Sequence, residues 1–284
     1  MKVAVLTDSL SDDYVFPYWH AYYGEQFGSC NLFVQTYHGL RSKFTGFLLG
    51  GVIELPESYE DRLRARALSS LCSYLLTTYD VVIRVDTDEF LVVDSRRDLL
   101  LRDYVAHLQA PYVTARGFDV IQLPGESIIE QGAARLLAHR SVAYPNSALN
   151  KTAITRIPLG WSEGFHWANV YPHFDDLFLL HLKRIDIEWQ MRWFDHMSSQ
   201  IADNADVPNY IKEYYKPERE KIEKYHREVA QRPRIAGIDN WRRDQFNSDF
   251  LKSISLNPNS GLYSGKTSHE LTLCELPVEW KSSI

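Results

Sequence analysis

Val81-Val82-Ile83-Arg84-Val85-Asp86-Thr87-Asp88-Glu89-Phe90 passes from an apolar, β-branched series straight into a knot of three carboxylates. Val and Ile in near-unbroken succession suit a strand buried on both faces, as in a parallel sheet. Asp80 to Val93 therefore reads as one buried strand with an acidic end. The chain before it supports a βα-alternating sheet. Lys2 to Leu6 is a short apolar strand closed by Thr7-Asp8-Ser9. A helix follows to about Phe27, capped by Asp12 or Asp13, with Pro17 in its early turns, where proline is tolerated. Asn31 to Tyr37 and Gly51 to Leu55 read as further strands, and Glu57 to Thr78 as a helix.

Beyond the acidic knot, Ser95 is placed to cap a helix to about Gln109, and Pro111–Leu123, Lys151–Ile157 and Asp176–Leu182 read as strands. After Ile185 the pattern turns helical: Trp189, Trp193 and Met197 recur at four-residue spacing, and Tyr210, Tyr214 and Tyr215 extend the apolar series. The expectation is a mixed, mostly parallel α/β sheet with helices on both faces. Its core spans residues 1–184, and residues 185–284 pack on it as a helical C-terminal segment.

Composition narrows the function classes. The 284 residues carry a net charge of −6, which argues against binding nucleic acid by phosphate neutralisation. Three widely spaced cysteines, Cys30, Cys72 and Cys274, read as free thiols of a reducing compartment. No stretch reaches the roughly 18 apolar residues of a membrane span, and Met1 leads directly into a strand without a signal peptide. A cytoplasmic protein with at most peripheral membrane contact is expected.

In an extended strand Asp86 and Asp88 point to the same side, so two hard oxygen ligands would converge at the carboxyl end of the strand. That set suits Mn²⁺ or Mg²⁺, which take carboxylates together with substrate phosphate oxygens. Arg62 and Arg66 share a helix face, and Arg66 is the better placed of the two to meet a diphosphate; Glu60 and Arg64 at the same spacing read as an ordinary ion pair.

The chain resembles the GT-A glycosyltransferases, most closely their family 2-like and family 92-like branch. The likeness is carried by Tyr18-Trp19-His20-Ala21-Tyr22-Tyr23, Asp86 to Phe90, Lys151 to Arg156, Gly164-Phe165-His166-Trp167 and His181-Leu182-Lys183-Arg184, over roughly residues 1–200. The resemblance implies a GT-A fold, a nucleoside-diphosphate sugar donor, a saccharide or lipid-linked acceptor and a divalent metal. It implies that Asp86 faces the ribose or the metal and that Asp88 binds the metal directly. A histidine would complete the shell, His181 ahead of His166, with Lys183 reaching a phosphate. Thr7 and Asp8 would meet the base or ribose. Trp161 and Trp167 are candidates for the acceptor side. Glu163 is the candidate general base, ahead of Glu126 and Asp119, because an inverting transfer must deprotonate the acceptor hydroxyl. The chain departs from the family pattern in lacking a Glu-Asp pair on the acceptor-side helix. Two other classes remain open. One is a nucleotidyltransferase of similar architecture, against which the acidic stretch after the first strand counts. The other is a non-catalytic saccharide-binding module. Surface-polysaccharide synthesis is the setting expected by analogy.

Overall fold

The computed structural model describes residues 1–9, 14–56, 61–201, 212–213, 216, 218–238, 243–269 and 272–284. In chain order the elements are β1 (Val3–Asp8), α1 (Phe16–Phe27), β2 (Leu32–Tyr37), β3 (Gly51–Leu55), α2 (Asp61–Leu75), β4 (Val81–Arg84) and β5 (Glu89–Val93). Then come α3 (Leu101–His107), β6 (Tyr112–Ile121), β7 (Val142–Pro145), β8 (Lys151–Thr155), β9 (Phe174–Arg184), α4 (Ile187–Ile201) and α5 (Arg219–Ala230). The C-terminal part adds β10 (Arg234–Ile235), α6 (Arg243–Ser253), β11 (Ser255–Asn257), β12 (Leu262–Ser264), β13 (Leu273–Glu275) and α7 (Val278–Ser283).

The chain divides into two compact units, each drawn from three segments. One comprises Met1–Phe118, Pro145–His181 and Trp241–Glu270; the other comprises Asp119–Tyr144, Leu182–Asn240 and Leu271–Ile284. This interleaving replaces the single cut expected at residue 184. Hydrophobic periodicity identifies elements, but β6 and β9 each carry the chain from one unit to the other in mid-strand, and no local pattern marks such a crossing. The C-terminal hundred residues also hold short strands as well as helices. At two or three residues each, those strands are too brief for a period to register.

In the first unit, β3, β2, β1 and β4 lie side by side and parallel. This is the expected mixed α/β sheet, and its parallel block carries the candidate site. The connection β1–α1–β2 moves one way along the sheet and β3–α2–β4 moves back across it. Right-handed crossovers in opposite directions place α1 and α2 on opposite faces. Helix α2 buries Ala65, Leu68, Cys72 and Leu75 against Ala4, Leu6 and Val82, a face made of alternate residues of β1 and β4. Helix α1 buries Trp19, Tyr22 and Tyr23. The Tyr22 hydroxyl donates to the carbonyl of Leu91, and Tyr23 donates to the carbonyl of Glu89 while accepting from the Leu91 amide. Two tyrosines thus fix the backbone of β5 immediately after the acidic knot.

The strand expected from Asp80 to Val93 is broken. β4 ends at Arg84 and β5 begins at Glu89, with a turn between them closed by Glu89 N–H donating to the Asp86 carbonyl at 3.1 Å. β4 pairs with β1 and, antiparallel, with β8, whereas β5 pairs antiparallel with β9. The turn lets the chain change partners. Asp86 and Asp88 therefore sit in a turn rather than on one side of an extended strand. Asp94, not Ser95, caps the next helical turn, accepting from the Arg96 amide at 3.1 Å. The cap expected from Asp12 or Asp13 lies outside the described residues, as do Glu60, Tyr210, Tyr214 and Tyr215.

In the second unit, β13 lies between β10 and β7. Ile121, Leu123, Val142, Tyr144, Val229 and Leu273 form its apolar cluster. Arg140, fully buried, pairs with the equally buried Asp186 at 3.0 Å. Among the described residues no helix is long and apolar enough to cross a membrane.

Gly117, in the first unit, donates its N–H to Asn150 Oδ1 at 2.9 Å, and a Cβ at this position would lie 2.3–2.6 Å from Leu149, backbone atoms included. Gly117→Ala is expected to lower the unfolding free energy by about 1–3 kcal/mol, the usual cost of forcing atoms into a packed contact. Urea denaturation with an unchanged m-value checks this; a midpoint equal to wild type would show that the contact opens freely.

Candidate functional site

The carboxyl ends of β1 and β4 carry Asp8 and, just past Arg84, the acidic turn. Adjacent parallel strands with connections leading in opposite directions leave a crevice at their carboxyl ends, the usual ligand position in such sheets. Around this crevice the first unit assembles a charge cluster from well-separated parts of the sequence. Lys151, from the start of β8, lies 2.6 Å from Asp86 Oδ2 and 2.5 Å from Glu89 Oε1. Arg84 pairs with Asp86 and, at 3.2 Å, with Asp8. Arg64 of α2 pairs with Asp8 and approaches Asp86 at 3.7 Å. Beneath the two arginines lies the Phe165 ring, 3.2 Å from the Arg84 guanidinium and 4.9 Å from that of Arg64.

These contacts set the ionisation pattern. Burial acts to raise the Asp86 carboxyl, but Arg84, Lys151 and Arg64 outweigh it and hold the group well below the ordinary carboxylate range. Burial prevails at Glu89 and Asp8, whose carboxyls are pushed up; the neighbouring Asp86 adds to the rise at both. Burial also works to lower the Lys151 ammonium, yet Asp86 and Glu89 raise it, so the lysine stays charged.

Asp88 reaches β9, with Lys151 still close enough to help lower its carboxyl. Its Oδ2 lies 3.3 Å from His181 Nε2. The β5–β9 register sets His181 directly opposite Glu89. Burial tends to raise the Asp88 carboxyl, and the facing His181 more than offsets it, leaving the group lowered. His166 hydrogen-bonds through Nδ1 to the Ala148 carbonyl. The carbonyl can only accept, so Nδ1 carries the proton and Nε2 keeps its lone pair. Burial, with Lys151 nearby, pushes the His166 imidazole down to about 4.

The expected site residues are thus partly gathered and partly scattered. Asp86, Asp88, His181 and Asp8 come together. Thr7 is fully buried and donates to the Asp8 carbonyl at 3.3 Å. Arg66 lies exposed on α2, and Arg64, two residues earlier, is the arginine turned to the crevice, where it pairs with Asp8. Glu163 is exposed, on the same turn that delivers Phe165. Glu126, the other carboxylate considered as base, is engaged by the Leu123 amide and by the amide and hydroxyl of Ser141, in the second unit. Asp119 is buried, also in that unit. Lys183 belongs to the second unit too, its ammonium 3.7 Å from the Trp193 ring centroid. Trp161 is buried in the α2 core cluster and donates Nε1–H to the Thr152 carbonyl at 3.1 Å, so it presents no open ring face. Trp167 stacks on Phe250 with ring centroids 5.9 Å apart.

Arg84 and Lys151 are the residues that sequence reasoning passed over. A charged residue within an apolar strand run was the available signal: Arg84 interrupts Val and Ile, and Lys151 heads a β-branched strand.

The fit to a divalent metal is limited to one pair. Among the described residues, no three His, Cys, Asp or Glu side chains are disposed to hold a metal ion. Both oxygens of Asp86 are engaged by cations. Asp88 and His181, in contrast, are separated by close to the ~3 Å spanned by adjacent ligands of an octahedral Mg²⁺. Mg²⁺ is held by as few as one or two carboxylates when phosphates and waters supply the rest, and in this pair Asp88 is the carboxylate.

No family model and no curated protein matches the chain. Among solved structures the chain is similar to Staphylococcus aureus TarS residues 1–349, at 13% identity and a TM-score of 0.32, over 76% of this chain and 69% of that one. It is also similar to mannose-1-phosphate geranyltransferase from Thermus thermophilus, at 9% identity and a TM-score of 0.30, over 76% of this chain and 67% of that one. At these scores neither likeness assigns an activity.

Two outcomes are expected from the electrostatics. Lys151→Met leaves Asp86 and Glu89 buried without their shared cation, and is expected to cost about 3–5 kcal/mol, read from denaturant midpoints; Lys151→Arg should recover part of the loss. His166 is neutral in the fold, with its pKa depressed from 6.5 to about 4. Its contribution to stability is therefore complete above pH 6.5 and is lost as pH falls toward 4, because the unfolded chain takes up the proton first. The stability of His166→Gln should fall less than that of wild type across that window, and parallel curves would contradict the assignment.

Proposed function

We propose that the protein is a glycosyltransferase that takes a sugar from a nucleoside diphosphate and passes it to a saccharide or lipid-linked acceptor, with Mn²⁺ or Mg²⁺ at Asp88. The observation that carries the reading is the Asp88–His181 pair at 3.3 Å, set beside a buried cluster of three cations at the carboxyl ends of adjacent parallel strands. The resemblance to GT-A enzymes in the Asp86–Phe90 and His181–Arg184 segments supports it independently of the geometry.

In this reading the metal, when bound, neutralises the diphosphate leaving group. Asp88 and His181 would hold it. The fixed residues have other tasks. Asp86, held ionised by Arg84 and Lys151, is available to a ribose hydroxyl rather than to the metal. Arg84 keeps Nε and Nη1 buried without hydrogen-bond partners, donors of the kind that an oxygen-rich donor molecule satisfies. Phe165, under both guanidinium groups, keeps them in plane and shields them from water. Glu163, exposed beside this turn, is the proposed base for the acceptor hydroxyl. Donor binding without nucleic acid, action in the cytoplasm and a place in surface-polysaccharide assembly complete the proposal.

Asp88→Asn should lower metal-dependent turnover or donor hydrolysis by at least a hundredfold while the protein still melts cooperatively. His181→Ala should raise the Mn²⁺ concentration needed for half-maximal activity far more than the donor KM at saturating metal. A screen of sugar nucleotides by calorimetry, with and without Mn²⁺, precedes both. Full activity of Asp88→Asn would remove the basis of the reading.

A further inference from the structure

We propose a second ligand site in the first unit, for an anionic, hydroxyl-bearing small molecule: a sugar carrying a carboxylate or a phosphate. It lies at the opposite end of β9 from His181. Phe174 and His181 are seven residues apart in that strand, which places the site roughly 23 Å from the proposed metal pair.

The site is an open cavity of about 600 Å³ whose walls include Arg116, Tyr171, Phe174, Asn247, Ser248 and Lys252. That volume falls in the range of small-molecule pockets. The walls are held by packing that has no need of a ligand. Phe250 of α6 lies between Trp167 and Phe174, at centroid distances of 5.9 and 6.0 Å. Asn247 and Leu251 are one turn apart on that helix, and the Leu251 carbonyl accepts from the Tyr171 hydroxyl at 3.1 Å. The Arg116 guanidinium lies over the rings of Phe174 and Phe178 and donates through Nη1 to the Asp175 carbonyl. It is thus fixed before anything binds.

Two features select the ligand. Asn247 is 7% exposed, and its Oδ1 is buried without a hydrogen-bond partner. An acceptor left unpaired in a cavity wall is destabilising, and a ligand hydroxyl or ammonium would satisfy it. The cavity walls carry the cations Arg116 and Lys252 and no carboxylate; Asp249, outside the walls, pairs with Lys252 at 3.5 Å on the helix surface. Cations repel an ammonium, so the donor to Asn247 is a hydroxyl, and the same molecule carries a negative group toward Arg116 and Lys252. Tyr171 and Phe174 supply ring surface for the carbon skeleton between them. This site stands whether or not the protein is a transferase.

Calorimetric titration of the full-length protein with glucose 6-phosphate, glucuronate, glucose and inorganic phosphate tests the site. At least one anionic sugar should bind tenfold or more tightly than both glucose and phosphate, and the better of the two identifies the anion. Lys252→Glu and Asn247→Leu should each weaken that binding at least tenfold, whereas Asp88→Asn should leave it unchanged. Lys252 is exposed, so its variant reports even if Asn247→Leu is unstable. Binding of neither anionic sugar overturns the proposal. So does phosphate binding as tightly as the anionic sugars, or affinity unchanged in Lys252→Glu.

Discussion

Asp86 is an ionised carboxylate largely taken out of water, and the first unit is organised around keeping it neutralised. Moving a carboxylate into a low-dielectric interior costs several kcal/mol even after relaxation, and the cost is recovered only by close, well-directed cations. Those cations come from three elements: Arg64 from α2, Arg84 from the end of β4 and Lys151 from the head of β8. Asp8 at the end of β1 and Glu89 at the start of β5 balance the remaining charge. Five elements are thereby registered to one point. The parallel block, the antiparallel strand β8 and the outer helix cannot shift relative to one another without separating buried charges.

Such a cluster is a poor device for stability, because an apolar replacement of the same shape is often as good. In the proposed transferase its value would lie in preorganisation. Charges fixed in a dry crevice before a ligand arrives need no reorientation when charge develops in the ligand. The consequence for Asp86 and Asp88 is a division of labour that their similar chemistry does not suggest. Asp86 pairs with cations through both oxygens and stays partly open to solvent. Asp88, two residues on, turns toward β9 and meets an imidazole. The turn at 85–88 makes the difference, because it switches the partner strand between β4 and β5.

The aromatic residues divide in a similar way. Abundant Trp and Tyr suggest sugar-stacking platforms, yet the structure assigns most of the conspicuous ones to construction. Tyr22 and Tyr23 hold the β5 backbone, Trp161 fills the core under α2, and Trp167 stacks on Phe250 to fasten α6. Phe165, a residue without a polar handle, lies against the two arginines of the charged crevice. Aromatic rings carry a large apolar area, so burial is their commonest use.

The sequence alone determined the parallel strands and their order of appearance, because runs of Val and Ile with period-specific punctuation encode local structure directly. It also located the acidic knot, and the resemblance pointed to His181; the structure puts the two together. Tertiary structure decided what no local pattern carries. The break between β4 and β5 depends on which strands lie alongside. The choice of Arg64 over Arg66 depends on how α2 is rotated on the sheet. The recruitment of Lys151, sixty-five residues from Asp86, and the division of the chain into interleaved units both rest on long-range pairings. A residue's partners across such distances follow from the sum of all packing and desolvation terms, and no window of sequence contains that sum.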